Sequence, residues 1–150
     1  AYATFASGGK YCKPIAIDRI LDASGTSMAV PSADCTQAMD QGAADQTATT
    51  LTATSQKGGT AYEAAINRPI AGKTGTTDYN YDAWFVGFTP QLATAVWIGH
   101  AGSPRTLNGQ QIGPHSVGIM YGNTIAVPMW RDYMSQAVAN DPVLPIPSHG

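Results

Sequence analysis

Two apolar runs, Ala83–Phe88 (AWFVGF) and Leu92–Gly99 (LATAVWIG), stand only three residues apart, and that spacing constrains the fold of this 150-residue chain most. Both runs are rich in aromatic and β-branched residues, which suit a pleated surface. A connection as short as Thr89-Pro90-Gln91 can reverse the chain but cannot cross over a sheet, so the two strands must lie antiparallel. The segment before them, from Ile70 (IAGKTGTT), is extended and rich in Gly and Thr. It predicts a third strand beside the hairpin.

Helices are expected before and after these strands. Residues 1–7 read as helical, stopped by Gly8-Gly9. Asp34–Gln56 carries a partial helical repeat through Met39, Ala43, Ala44, Thr47, Leu51 and Thr54. A second short helix over Thr60–Ala65 follows Gly58-Gly59. Ala126–Val138 predicts an amphipathic helix that starts near Pro128, with Met129, Trp130, Tyr133, Met134 and Val138 as its buried stripe. Residues 10–22 read as strand, anchored by Ile15, Ile17 and Ile20, with 26–34 an irregular return and 101–118 a Gly/Pro loop. The order implies an α+β fold, an antiparallel sheet flanked by helices, and not a βαβ parallel sheet. Residues 1–140 read as one unit, and 141–150 (DPVLPIPSHG) as a Pro-rich tail.

Only 12% of the residues are charged, the net charge is −2, and no basic cluster exists, which argues against a nucleic-acid partner. No apolar run approaches the ~18 residues a membrane helix needs. His100, His115 and His149 are scattered, and Cys12 and Cys35 fit no metal-ligand spacing, so neither a metal nor another cofactor is called for. The two cysteines are either free thiols or one disulfide, the latter if the protein works outside the cytoplasm.

The stretch with chemical content is Gly72-Lys73-Thr74-Gly75-Thr76-Thr77. Gly-Lys-Thr also ends a phosphate loop, but that motif needs a glycine at position 67, where Asn67 stands, and a helix afterwards, where a strand follows. By itself Lys-Thr-Gly would be an edge strand with one solvated lysine. Its neighbours decide the reading. KTGTT is followed by DAWFVGFTPQLATAVWIGH and then YGNTIAVPMWRDYM, and it is preceded by AYATFASGGKY and by Gln56-Lys57-Gly58-Gly59-Thr60-Ala61. These blocks, in this order, resemble the C-terminal part of the transpeptidase domain of class A penicillin-binding proteins, the bifunctional peptidoglycan synthases. The resemblance runs from the start of the chain to about residue 138.

The resemblance implies a serine-type D,D-transpeptidase that cross-links peptidoglycan stem peptides and is acylated by β-lactams. It makes Lys73 and Thr76 catalytic. Lys73 supplies positive potential and joins the proton-shuttling network, while the Thr76 N–H is one oxyanion donor. Thr74, Gly75, Thr76 and Thr77 form the substrate-binding strand, with the Thr74 and Thr76 hydroxyls on the terminal carboxylate of a stem peptide or β-lactam. Gly75 lets the substrate backbone come close. Asp82 and Trp84 belong to the same block and read more simply as a structural hydrogen-bond partner and as packing. Trp97 and Trp130 read as core, Arg131 and Asp132 as a solvated face, and Tyr79 and Tyr81 as residues of the loop after the strand, with contact to substrate as their lesser reading.

The family uses three motifs, Ser-x-x-Lys, Ser-x-Asn and Lys-Thr-Gly, in that order. Only the third is convincing here. Ser7-Gly8-Gly9-Lys10 matches the first by letters, yet its glycines would end the helix that the motif should open. Tyr121-Gly122-Asn123 imitates the second but lies after Lys-Thr-Gly. The expectation is therefore a piece lacking the nucleophilic serine. Its N-terminal companion part would carry Ser-x-x-Lys and Ser-x-Asn, and the membrane anchor would lie outside this chain, on the extracytoplasmic face. A β-lactamase or carboxypeptidase of the same superfamily, or a non-catalytic β-lactam sensor, are the alternatives.

Overall fold

A computed structural model describes residues 1–148. In chain order the elements are α1 (Tyr2–Ala6), β1 (Lys10–Tyr11), β2 (Ile20–Leu21), β3 (Ser27–Met28), β4 (Thr36–Gln37) and α2 (Gln41–Thr52). Then come β5 (Ala71–Thr76), β6 (Asp82–Phe88), β7 (Ala93–Gly99), β8 (Gln111–Ile112), β9 (His115–Ser116) and α3 (Ala126–Ala137). Single 3₁₀ turns lie at Ala53–Ser55, Tyr62–Ala64 and Asp78–Asn80.

The three strands predicted from 70 onward form one antiparallel sheet in the order β5-β6-β7. Lys73 faces Val86 and Gly75 faces Trp84 across the first pair, and Trp84 faces Trp97 across the second. The hairpin closes through Thr89, whose N–H donates to the Leu92 carbonyl and whose hydroxyl oxygen accepts from the Gln91 and Leu92 N–H groups.

The period-2 alternation of β6 splits its side chains between two layers. Phe85 points into α3, meeting the fully buried Trp130 edge-on at 5.2 Å between ring centroids. The Trp130 indole N–H is shared between the carbonyls of Gly87 and Thr94, so its polar atom is satisfied inside the core. Gly87 is required there, because a Cβ would lie 2.8 Å from the indole ring. Phe88 points the other way and packs with Ala71, Ala48 of α2 and Tyr2 and Phe5 of α1. The result is a helix–sheet–helix sandwich, the α+β architecture expected. A smaller cluster of Ala83, Leu107, Val117, Met120 and Ile125 holds the 101–120 segment, where β8 and β9 form a hairpin inside the expected loop. In the tail, Ile146 packs against Ala71 and Phe88, and the Pro147 carbonyl accepts from the Thr49 hydroxyl. His149 and Gly150 lie outside the described residues.

Several local expectations differ from the structure. Residues 10–22 are not one strand. β1 pairs with β4 and β2 with β3, making a narrow arm that folds back on itself and presents no face to the core. Ile15 and Ile17, expected as anchors, are 44% and 50% exposed. The arm is closed by a disulfide between Cys12 and Cys35 and by an ion pair between Lys13 and Asp34 at 2.8 Å. Helix α2 starts at Gln41 and not Asp34, because Thr36–Gln37 is taken by the arm and Asp40 caps the helix by accepting from the Ala43 N–H. The short helix expected over 60–65 is a single 3₁₀ turn. On α3, Trp130, Met134 and Val138 are buried as predicted, but Met129 and Tyr133 are half exposed. A single sheet layer covers only one stripe of the helix, and these two lie beside it. Trp97 is also no core residue. It and Trp84 are about two-fifths exposed, on the sheet face opposite α3 and beyond the reach of α1 and α2.

Candidate active site

The Lys-Thr-Gly strand is the edge of its sheet among the described residues, since β5 pairs only with β6. Which backbone groups it presents outward follows from one contact. The Thr54 hydroxyl donates to the Gly72 carbonyl at 2.8 Å from outside the sheet. In an antiparallel pair, alternate residues direct their N–H and C=O to the same side. Thr74 and Thr76, two and four residues on, therefore direct theirs to the open edge. Thr77, of opposite parity, donates its N–H inward to the Asp82 carbonyl, as this alternation requires.

Side chains complete the edge. Thr60, Thr74 and Thr76 line a small open cavity of about 220 Å³, together with Tyr121, Gly122 and Asn123. The Thr74 hydroxyl donates to Thr60 Oγ1 at 3.1 Å. The Gly122 N–H donates to Thr76 Oγ1 at 3.0 Å, which uses an acceptor lone pair and leaves the Thr76 O–H to donate elsewhere. Lys73 is exposed and its ammonium donates to the Thr74 carbonyl at 2.9 Å. Gly75 lies against Trp84, where a Cβ would stand 3.3 Å from the Trp84 Cβ. Two hydroxyls and an unpaired strand edge thus converge on one cleft, with the Lys73 ammonium on the Thr74 carbonyl at that edge, an arrangement suited to an extended peptide ending in a carboxylate.

The structure brings Lys73, Thr74, Gly75 and Thr76 together at this edge. Thr77 lies at its far end, with its hydroxyl accepting from the Asp82 N–H at 2.8 Å. Asp82 has the structural role expected, since its Oδ1 accepts from the Trp97 indole N–H at 2.8 Å. Tyr79 and Tyr81 border a different cavity, beside Pro104, Arg105 and Thr106. The Ser7 hydroxyl donates to the Lys10 and Thr4 carbonyls at the end of α1, where Gly8 and Gly9 adopt positive φ. It closes a helix instead of opening one.

Two contributors escaped the sequence reading. Thr60 belongs to the Gln56–Ala61 block but carries no local signal of reaching β5. Gly122 sits in the Tyr-Gly-Asn triplet set aside as a false second motif, and it packs directly on the Lys-Thr-Gly strand. Its Cβ would stand 2.6 Å from the Trp84 carbonyl and 2.8 Å from that of Gly75. A glycine without positive φ is the only signal available, and sequence does not show φ.

An antiparallel sheet between helices, with Lys-Thr-Gly on its free edge, defines the sheet-bearing part of a penicillin-recognising transpeptidase fold. The penicillin binding protein transpeptidase domain family matches residues 1–114, and the chain belongs to that family. It is 35% identical to penicillin-binding protein 1A of Aquifex aeolicus over 134 residues, covering 89% of this chain and 17% of that protein. It is 40% identical to penicillin-binding protein 1A of Neisseria meningitidis over 144 residues, covering 92% of the chain and again 17% of the relative. The class A resemblance is thus borne out, and the chain spans about a sixth of the length of the curated relatives it matches. Its backbone superimposes on that of PonA1 from Mycobacterium tuberculosis in complex with penicillin V with a TM-score of 0.80 at 27% identity, covering 99% of this chain and 39% of that one.

Proposed function

We propose that the chain supplies the substrate-binding strand of a peptidoglycan D,D-transpeptidase that is also a β-lactam target. The observation that carries this reading is the open Lys-Thr-Gly edge, with the Thr74 and Thr76 hydroxyls and an outward Thr76 N–H around one cleft. A stem peptide adds to the edge as one more strand. The Thr76 O–H, whose oxygen already accepts from Gly122, donates to the terminal carboxylate, with Thr74 beside it. The Lys73 ammonium lowers the energy of negative charge in the cleft and takes part in proton transfer. The Thr76 N–H stabilises the oxyanion as the scissile carbonyl becomes tetrahedral. Gly75 and Thr77 shape the strand on which the peptide lies.

The attacking serine and its lysine partner come from a companion part carrying Ser-x-x-Lys and Ser-x-Asn. That serine attacks the penultimate D-Ala carbonyl, the terminal D-Ala leaves, and the acyl group passes to an amine of a neighbouring stem peptide. A β-lactam acylates the same serine. The similarity to penicillin-binding protein 1A favours this reading over a β-lactamase or a sensor, and favours an extracytoplasmic location with the anchor outside this chain. Residues 1–140 are the C-terminal part of the catalytic domain and 141–150 its tail.

The test is acylation of the whole protein by a fluorescent penicillin. Label should sit on a serine outside residues 1–150, and Lys73→Ala should slow acylation by about 10²-fold or more. Acylation of Ser7, or an unchanged rate in Lys73→Ala, would refute the assignment. Rapid release of the label as hydrolysed drug would point to a β-lactamase.

A further inference from the structure

Arg68 stands just before the Lys-Thr-Gly strand, five residues ahead of Lys73, and is only 9% exposed. Its backbone is fixed by a bridge to Ile66 and by the buried Ile70, which packs with Phe85 and Trp130. Its Nε and Nη1 are buried and bond to nothing among the described residues. A guanidinium is a permanent cation. With two of its three nitrogens buried and unbonded, such a charge is costly unless it is paired.

No acid of the described residues supplies the pair. The two ion pairs among the described residues are Lys13–Asp34 and Arg131–Asp132. Asp45 is buried too, yet its own Oδ1 is unpartnered, so the two do not meet. Glu63 is exposed and makes no ion pair with Arg68. Nor does Arg68 line the cleft of Thr60, Thr74 and Thr76, so a substrate carboxylate bound there is not its partner.

We infer that an Asp or Glu side chain from the part of the transpeptidase domain outside this chain docks on Arg68. The contact makes Arg68 a positioning residue: it ties the entry of β5 to the companion part and so holds the substrate edge in register with the serine. The inference rests on the proposed function, which requires that companion. The relatives, about six times longer than this chain, leave ample polypeptide to provide it.

The test uses the whole protein. Arg68→Met keeps an unbranched stem and removes the charge. If a carboxylate is docked, the substitution strands a buried anion and lowers the melting midpoint by more than about 5 °C. If none is docked, it removes an unpaired cation and the midpoint holds or rises, which overturns the inference. Arg68→Lys restores a cation whose amine can be joined to a contacting carboxylate by carbodiimide coupling. A cross-link from position 68 to an acid outside residues 1–150 supports the contact. A link only to Glu63, Asp45 or another acid of this chain, or no link, overturns it. Should Arg68→Met fail to accumulate folded, the cross-link decides alone. Penicillin acylation of the unsubstituted protein separates the two readings: normal acylation with no partner at Arg68 sinks this inference only, whereas no acylation sinks the proposed function.

Discussion

Replacing Gly122 with alanine should damage the cleft without touching any group that does chemistry. The added Cβ would stand 2.6 Å from the Trp84 carbonyl oxygen, 2.8 Å from that of Gly75 and 3.0 Å from Thr74 Cβ. Ordinary van der Waals contact begins at 3.4 Å, so the turn must withdraw by 0.8 Å from the first and 0.6 Å from the second. The first two neighbours are sheet backbone, which cannot swing aside as a long side chain can. Gly122 has no positive φ, so alanine is conformationally acceptable there and the whole effect is steric. Overpacking of this kind costs about 1–3 kcal/mol. Withdrawal also stretches the Gly122 N–H bond to Thr76 Oγ1, worth about 0.5–1.5 kcal/mol. The sum is about 1.5–4.5 kcal/mol, and β5 is left displaced at Thr76. Misplacing a catalytic donor by ~1 Å can cost ~10²-fold in rate. Acylation by fluorescent penicillin, timed in the whole protein, should therefore slow by about 10–10²-fold, with a melting midpoint several degrees lower. Gly102→Ala is the control. Gly102 has φ +85 and open space around it, so alanine there costs about 1 kcal/mol and leaves acylation alone. If Gly122→Ala melts and acylates like the parent protein, the packing argument for the cleft is wrong.

Three further outcomes follow from the same geometry. Trp130→Ala, which empties the core between Phe85 and Met134 and removes the indole N–H shared by the Gly87 and Thr94 carbonyls, should cost about 3–5 kcal/mol in denaturant melts; a loss below about 1 kcal/mol would contradict the burial. Converting Cys12 and Cys35 to serine should release the arm and cost up to roughly 3 kcal/mol. Proteolytic cuts should concentrate between residues 12 and 35, and cuts spread evenly over the sheet would refute a separate arm. The Lys13 ammonium and then the Ser32 hydroxyl hold the Asp34 carboxyl below the usual carboxylate range. That contribution is complete above the unfolded pKa and disappears as pH falls through the lowered value, so arm amides should gain exchange relative to sheet amides under strong acid. Equal pH dependence in both regions would dismiss the ion pair as a fastener.

The sheet was readable because its signal is local. AWFVGF and LATAVWIG carry their own period and propensity, and three residues between them permit only a hairpin. The candidate site was readable only in part. Lys73, Thr74, Gly75 and Thr76 are consecutive, so a linear motif exposes them, whereas Thr60 and Gly122 reach the same cleft from 14 residues before Thr74 and 46 residues after Thr76. The arm misled because Ile15 and Ile17 have the two-residue spacing of a half-buried strand. Alternation reports what a strand could bury and not whether anything lies against it, and here the partner strand is the arm's own return limb.

The amino-acid order therefore determined the antiparallel hairpin, the helix behind it with its Trp130 stripe, and the Lys-Thr-Gly motif, since each is set by neighbours within a few residues. Tertiary structure alone decided which edge of the sheet stays open among the described residues, that the Gly122 turn seats on it and orients the Thr76 hydroxyl, and that Arg68 is buried without a partner among them. Those are contacts between segments far apart in the chain, and only close packing of the folded layers brings them within bonding distance.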